Sequence, residues 1–124
     1  MKRGFTILIA DRNPHVRQYL RREMISDGYR VRLAKNGQEV LKTLSDREPP
    51  DLLILDLDLP DVTDLTILQQ VRESHPSLPV VVHTLSSEHL NHPAMLSVNA
   101  FVEKDGASIE GLKRAVMDAL RPTS

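Results

Sequence analysis

The chain alternates five short apolar runs with longer segments of helical period, and few folds accommodate such a pattern. The runs have the length of β-strands and occupy residues 5–10, 29–34, 51–56, 79–84 and 100–104. Strands that alternate with helices form βαβ units, whose crossovers are right-handed almost without exception. The pattern therefore predicts an α/β fold built on an open, doubly wound parallel sheet of five strands.

The character of each run indicates its place in the sheet. Apart from Thr6, the first, third and fourth runs are continuously apolar over residues 5–10, 52–55 and 80–82, as expected for strands covered by helices on both faces. The second run, Tyr29 to Leu33, alternates polar and apolar residues, which is typical of an edge strand. We therefore predict the strand order 2-1-3-4-5.

Capping residues and apolar spacing predict four helices between and after the strands. Asn13 is suited to cap the first helix, and Gly28 to end it. Asn36 can begin the second helix. The apolar spacing predicts a third helix over about Asp64–Ser74 and a last one over about Ser108–Leu120.

The segment Ser86–Val98 is the hardest part of the chain to assign. Pro93 lies in its middle and has no amide hydrogen to donate. Any helix in this segment is therefore expected to be short, broken, or to begin at Pro93.

Length and composition favour one globular domain. The chain has 124 residues, of which 40% are hydrophobic and 27% charged. We assign residues 1–121 to one domain and residues 122–124 to a tail or to the start of a linker. The chain has no cysteine, which excludes disulfide scaffolds, zinc-thiolate sites and thiol catalysis.

Charge and the amino-terminal run argue against two classes of partner. The formal net charge of −1 offers no bulk attraction to nucleic acid or to anionic lipid. The first apolar run, residues 5–10, is too short for a signal-peptide core or for a membrane span. We therefore expect a cytoplasmic protein that binds neither nucleic acid nor membrane directly.

Polar side chains follow the ends of four of the predicted strands. Ligands of doubly wound folds bind at the carboxyl ends of the strands, where the strand order reverses. A carboxylate nucleophile, charge for a divalent metal, and donors for phosphoryl oxygens are what a phosphoryl-transfer site needs. The residues at these ends supply such groups: they are Asp11, Arg12, Asp56, Asp58, Thr84 and Lys104.

Four motifs in order resemble those of the receiver domains of bacterial response regulators, and the resemblance covers essentially the whole chain. Residues 7–14 are similar to the family's first strand and acidic pair, and residues 50–60 to its phosphorylation segment. Residues 79–84 are similar to the strand that ends in the switch hydroxyl, and residues 101–104 to the segment with the switch aromatic and the lysine. The resemblance implies the CheY-like, flavodoxin-like form of the predicted fold.

The resemblance also implies a role for each matched residue. Asp56 would accept a phosphoryl group from a sensor histidine kinase, a phosphotransfer protein or a small phosphodonor. Thr84 and Lys104 would bind the phosphoryl oxygens, and Thr84 and Phe101 would act as switch residues. Asp11, Asp56 and Asp58 would hold a divalent cation, usually Mg²⁺ in this family.

Arg12 departs from the family pattern, because the second residue of the acidic pair is normally a metal ligand. A guanidinium in its place changes the local charge by two units. In one alternative Arg12 pairs with Asp56 or Asp58 and fills the metal site, which leaves a pseudo-receiver that works as an interaction module without phosphorylation. In the other alternative Asp58 supplies the missing carboxylate.

The function that these observations predict is a signalling switch and not an enzyme beyond its own phosphorylation and dephosphorylation. Its output would pass through a downstream effector protein or through a carboxy-terminal output domain outside this sequence. A homodimer through the face of the fourth and fifth βα units is a further expectation. A remote alternative is a phosphatase that uses Asp56 as nucleophile and Asp58 as acid and base, because such enzymes carry an Asp-x-Asp motif after an apolar strand.

Overall fold

Five parallel strands form one sheet in the computed structural model, which describes residues 4–62, 65–85, 88–104 and 109–121. The strand order is β2-β1-β3-β4-β5, as the sequence predicts. β1 pairs with both β2 and β3, so the alternating strand β2 is an edge strand and the continuously apolar strands are internal. The strands are β1 Thr6–Ala10, β2 Arg30–Ala34, β3 Leu52–Leu55, β4 Val80–Thr84 and β5 Ala100–Glu103.

Four α-helices and one short 3-10 helix connect and cover the strands in the part of the chain that is described. The Asn13 side chain accepts hydrogen bonds from two amides of the first turn of α1, and Gly28, just after this helix, has a positive φ of 95°. Asn36 caps α2 in the same way, through the amide of Glu39. The helices are α1 Pro14–Ser26, α2 Gly37–Leu44, α3 Thr66–Ser74 and α4 Ile109–Leu120, and the 3-10 helix is Pro93–Ser97.

The helix boundaries agree with the sequence where they can be compared. α3 begins at Thr66, two residues after the predicted start at Asp64. Asp64, Ser108 and the tail 122–124 lie outside the described residues. The chain between β4 and β5 contains the 3-10 helix with Pro93 in its first turn, which confirms the expectation of a short helix beginning there.

The sheet is covered on both faces by apolar side chains. On one face α1 and α4 pack over the strands, and Leu20, Met24 and Val116 are almost fully buried there. On the other face α2 and α3 cover the strands, with Val40 and Leu68 buried between them. No helix in the described ranges is long and apolar enough to cross a membrane.

Arg72 of α3 fastens the 3-10 helix to the rest of the domain. Its guanidinium donates hydrogen bonds to the carbonyl oxygen of Leu78, at 2.7 Å, and to that of Ser97, at 2.6 Å. Leu78 lies just before β4, and Ser97 ends the 3-10 helix. One side chain therefore joins the start of β4 to the 3-10 helix.

Candidate functional site

Four of the predicted site residues meet at the carboxyl edge of the sheet. Asp11 directly follows β1, Asp56 follows β3, Thr84 is the last residue of β4, and Lys104 follows β5. Because parallel strands end at the same edge, residues far apart in sequence come together there. Asp11 and Asp56 are only 1% and 3% exposed, so their carboxylates lie inside the protein and not on a solvated surface.

Lys104 joins the two buried carboxylates. Its Nζ lies 2.7 Å from Oδ2 of Asp11 and 2.9 Å from Oδ2 of Asp56. One ammonium therefore faces two carboxylates, which leaves this group of three side chains with a net negative charge. Buried charges need such partners, since an unpaired carboxylate inside a protein costs several kcal/mol.

The second oxygen of Asp56 also has donors. Its Oδ1 accepts a hydrogen bond from Oγ1 of Thr84 at 3.2 Å and from the amide of Asp58 at 3.0 Å. Both oxygens of Asp56 are thus held in fixed directions by the residues that would contact a group attached to it. This arrangement suits a positioned carboxylate nucleophile.

Asp11 is held by its own loop and by α1. Its Oδ1 accepts from the amide of Asn13 at 2.9 Å, and its carbonyl oxygen accepts from Nη1 of Arg17 at 2.8 Å. The same Nη1 lies 3.2 Å from the carbonyl oxygen of Arg12. The sequence does not indicate this role of Arg17, because a charged residue on an amphipathic helix is usually solvated. No local sequence pattern marks a contact between such a side chain and a carbonyl oxygen in the preceding loop.

Burial and charge act in opposite directions on the ionisable groups of the site. Burial raises the pKa of Asp11, and the hydrogen bond from Lys104 offsets this only in part. For Lys104, burial alone would lower the pKa, but the contacts with Asp11 and Asp56 outweigh it and raise the pKa. Lys104 is therefore a cation at neutral pH.

Arg12 points toward Asp58 at the edge of the site. Its Nη1 lies 3.9 Å from Oδ2 of Asp58, and the two side chains are 54% and 74% exposed. The pairing with Asp58 agrees with part of the first alternative for Arg12. However, the long distance and the exposure make this a weak ion pair, worth about 0 to 1 kcal/mol.

The donor set does not fit a resident Mg²⁺ well. This cation prefers near-octahedral oxygen ligation, and Asp11 and Asp56 offer carboxylates that already contact Lys104. The third predicted ligand, Asp58, directs its carboxylate to Arg12. Among the described residues no three His, Cys, Asp or Glu side chains are grouped so that they could hold a metal ion.

Phe101 lies beside the site on β5 rather than inside it. It pairs with Val82 of β4 in the sheet and packs, partly buried, against the core on the α2 and α3 face. The strand that carries Thr84 thus contacts the strand that carries the aromatic residue. The structure therefore places the two predicted switch residues on adjacent strands, two register positions apart.

The loop after β3 is tied to α2 by a residue that the sequence did not single out. Asp61 accepts hydrogen bonds from the amides of Gly37, at 2.7 Å, and Gln38, at 3.0 Å. Gly37 leaves room for this loop, because a Cβ there would lie 2.7 Å from Cγ1 of Val62. The segment that carries Asp56 and Asp58 is therefore anchored at both ends.

Comparison with known proteins gives one consistent family. The model of the response regulator receiver domain matches residues 7–116. Among curated relatives, the DNA-binding transcriptional regulator NtrC of Escherichia coli is 33% identical over 88 residues, which cover 71% of this chain and 18% of NtrC. The response regulator MprA of Mycobacterium ulcerans is 40% identical over 79 residues, which cover 63% of this chain and 33% of MprA. The chain thus spans about a fifth to a third of these relatives.

Solved structures agree with the fold. The response regulator TrrA of Thermotoga maritima, in complex with Mg²⁺ and BeF, has a TM-score of 0.86 and 27% identity, with 94% of this chain and 99% of that chain covered. A structure of histidine kinase ThkA in complex with TrrA matches with a TM-score of 0.84 and 26% identity, over 94% of this chain and 99% of that chain.

Proposed function

Since this chain belongs to the family of response regulator receiver domains, we propose that it accepts a phosphoryl group on Asp56 and then changes the surface that it offers to a partner. The single observation that carries the proposal is the arrangement of Lys104 and Thr84 on the two oxygens of the buried Asp56. Donors already in place where negative charge will develop are the main requirement of phosphoryl transfer.

The phosphoryl donor that we propose is a phosphohistidine of a sensor kinase or of a phosphotransfer protein. A carboxylate oxygen of Asp56 attacks phosphorus, the new O–P bond forms, and the N–P bond of the donor breaks. The departing imidazole nitrogen keeps the electron pair and takes up a proton from solvent. The complex of TrrA with the kinase ThkA supports this class of partner, because the resemblance to TrrA covers 94% of the length of this chain.

The switch that we propose follows from the added charge. A phosphoryl group carries nearly two negative charges and replaces the single charge of the Asp56 carboxylate, and the side chains of Thr84 and Lys104 already donate to the Asp56 oxygens. Thr84 lies two residues after Val82, which pairs with Phe101 of β5, so movement of Thr84 toward the phosphoryl group would alter the β4 and β5 side. Such a movement biases the β4 and β5 surface between two states, because the new charge is paired in only one of them.

The output that we propose is a partner protein or a further domain outside this sequence. The curated relatives are longer proteins, and one of them is named as a DNA-binding transcriptional regulator. A homodimer through the β4 and β5 side is part of the same proposal. The exposed side chains of Leu85 and Leu96 on this side support an interaction surface.

Acetyl phosphate, together with intact mass spectrometry, tests the proposal. In the presence of MgCl₂ we expect the wild-type protein to gain the mass of one phosphoryl group and Asp56→Asn to gain none. Asp118→Asn, which changes an exposed carboxylate on α4, is the matched control and should react like wild type.

A lack of reaction in the wild type would contradict phosphorylation of Asp56 and favour the pseudo-receiver, for which the guanidinium of Arg12 near Asp58 is the supporting observation. Steady hydrolysis of p-nitrophenyl phosphate that is lost in Asp58→Asn would instead favour the phosphatase.

A further inference from the structure

Arg12 is the residue that the proposed function leaves without a role. We propose, on the basis of that function, that the Arg12 guanidinium replaces the divalent cation. In this chain a phosphoryl group on Asp56, or a tetrahedral analogue of it, is then bound by Lys104, Thr84 and Arg12 without metal.

The charges at the site argue against a bound dication. Asp11 and Asp56 share the ammonium of Lys104, and Asp58 faces the guanidinium of Arg12, so three carboxylates face two cationic side chains. The cluster keeps only a small negative excess. A dication would have to compete with Lys104 for both buried carboxylates, and the nearby guanidinium of Arg12 would repel it. The part of the chain that is described also offers no group of three acidic or imidazole ligands.

The side chain of Arg12 is available to bind an anion. Its side chain is 54% exposed, and its contact with Asp58 is long, at 3.9 Å. An exposed ion pair of this kind holds a side chain with less than about 1 kcal/mol. A phosphoryl group carries nearly two charges and presents oxygens that match the fork of a guanidinium, so it competes well against one solvated carboxylate.

The position of Arg12 in the fold also suits this role. Arg12 directly follows Asp11, and Arg17 holds the backbone carbonyl oxygens of both residues, at 2.8 Å and 3.2 Å. The amide of Asp58, the residue that Arg12 now faces, donates to Oδ1 of Asp56. The backbone that carries Arg12 is thus fixed beside the acceptor, while its long side chain keeps the freedom to move to a new anion.

The chemistry of phosphoryl transfer also allows this role for an arginine. Phosphoryl transfer depends mainly on positioning and on neutralisation of charge at the transferred oxygens, and an arginine side chain can supply that neutralisation. The bonds made and broken on Asp56 are those of the transfer described above, and Arg12 keeps its protons throughout. No further reactant is needed, because only the source of positive charge differs.

The test uses beryllofluoride as the phosphoryl analogue and two-dimensional NMR of the amides as the measurement. In the wild type we expect beryllofluoride in EDTA to shift the amide signals of Thr84 and Lys104. These shifts should be as large as those caused by beryllofluoride in MgCl₂, and MgCl₂ without beryllofluoride should cause none. Arg12→Gln should weaken binding of beryllofluoride in EDTA about tenfold or more, because it loses a charged hydrogen-bonding partner of the anion.

Two further variants complete the test. Arg12→Asp should bind beryllofluoride only when MgCl₂ is present and should show shifts near Asp11 with MgCl₂ alone, since it restores a carboxylate ligand. Arg21→Gln removes an exposed arginine from α1 and is the matched control, which should behave like wild type.

Wild-type protein that binds beryllofluoride only with MgCl₂ would overturn the inference and leave Asp56 as the acceptor. An unchanged affinity in Arg12→Gln would overturn it as well. Absence of binding under both conditions, together with no mass gain from acetyl phosphate, would overturn both the inference and the proposed function.

Discussion

The two sides of the sheet differ in how tightly they are packed. The side of the proposed acceptor Asp56, which we call the acceptor side, consists of β1, β3 and the residues Asp11 and Asp56 at their ends. It is buried almost throughout. The β5 side, residues 88–104, contains no fully buried residue, and Leu96 on it is 90% exposed. β1 and β3 are covered by helices on both faces, whereas β5 is an edge strand beside a short 3-10 helix.

This difference suits the two tasks that we propose for the domain. A nucleophile and its donors must be held in one geometry, which a close-packed interior provides. A surface that changes between two states must have neighbouring arrangements of similar free energy, which a loosely packed edge provides. Lys104 connects the two sides, because it follows β5 and its ammonium lies on both carboxylates of the acceptor side.

The largest expected effect comes from a cavity on the acceptor side. Leu53 of β3 is fully buried, so Leu53→Ala should lower the free energy of unfolding by about 3 kcal/mol. Leu96→Ala on the β5 side should change it by less than about 0.5 kcal/mol, because that side chain is already in water. Urea denaturation measures both values, and similar losses in the two variants would break the comparison.

A smaller effect is expected from His83 on β4, between the two sides. Burial, followed by the charge of Lys104, lowers the pKa of His83 from 6.5 to about 4. In that interval the unfolded chain binds a proton that the folded chain does not, so stability falls as the pH falls through it. From pH 7.5 to pH 5.0 this costs about 2 kcal/mol, at 1.36 kcal/mol per unit of pH below 6.5.

The measurement for His83 is the free energy of unfolding at both pH values. His83→Leu should lose about 2 kcal/mol less than wild type on acidification, since leucine takes up no proton. His15→Gln, which replaces an exposed histidine on α1, is the control and should follow wild type. Equal acid sensitivity of His83→Leu and wild type would show that His83 is not the buried neutral group described above.

The smallest effect on stability is expected when the hydrogen bonds between Arg72 and the 3-10 helix are removed. Arg72→Met removes the hydrogen bonds to the carbonyl oxygens of Leu78 and Ser97 and should lower stability by about 1 to 2 kcal/mol. Hydrogen exchange should become faster at the amides of the β5 side, such as Val98, and stay unchanged at β1. Arg114→Met, an exposed arginine on α4, serves as control. Faster exchange at β1 would contradict a separate, more weakly held β5 side.

Much of the fold could be predicted from the sequence because it depends on local features such as capping residues, alternation of polar and apolar residues, and proline. Asn13 and Asn36 cap helices where the sequence places them, and the alternation of β2 identifies an edge strand. The short helix beginning at Pro93 follows from its missing amide donor. The contacts of Arg17, Asp61 and Arg72 were not foreseen, because each side chain binds backbone groups whose position depends on the folded loops.

The sequence by itself determined the strand order and the set of residues at the carboxyl edge, because the pattern of apolar and polar residues identifies each strand and its end. Only the tertiary structure decided how these residues pair. Lys104 contacts Asp56 across 48 positions of sequence and also Asp11, while the Arg12 guanidinium lies 3.9 Å from Asp58. The physical reason is that a buried carboxylate must pair with a cation that the fold also buries, which is Lys104. The guanidinium of Arg12 is on a long, exposed side chain and stays hydrated at the edge of the site.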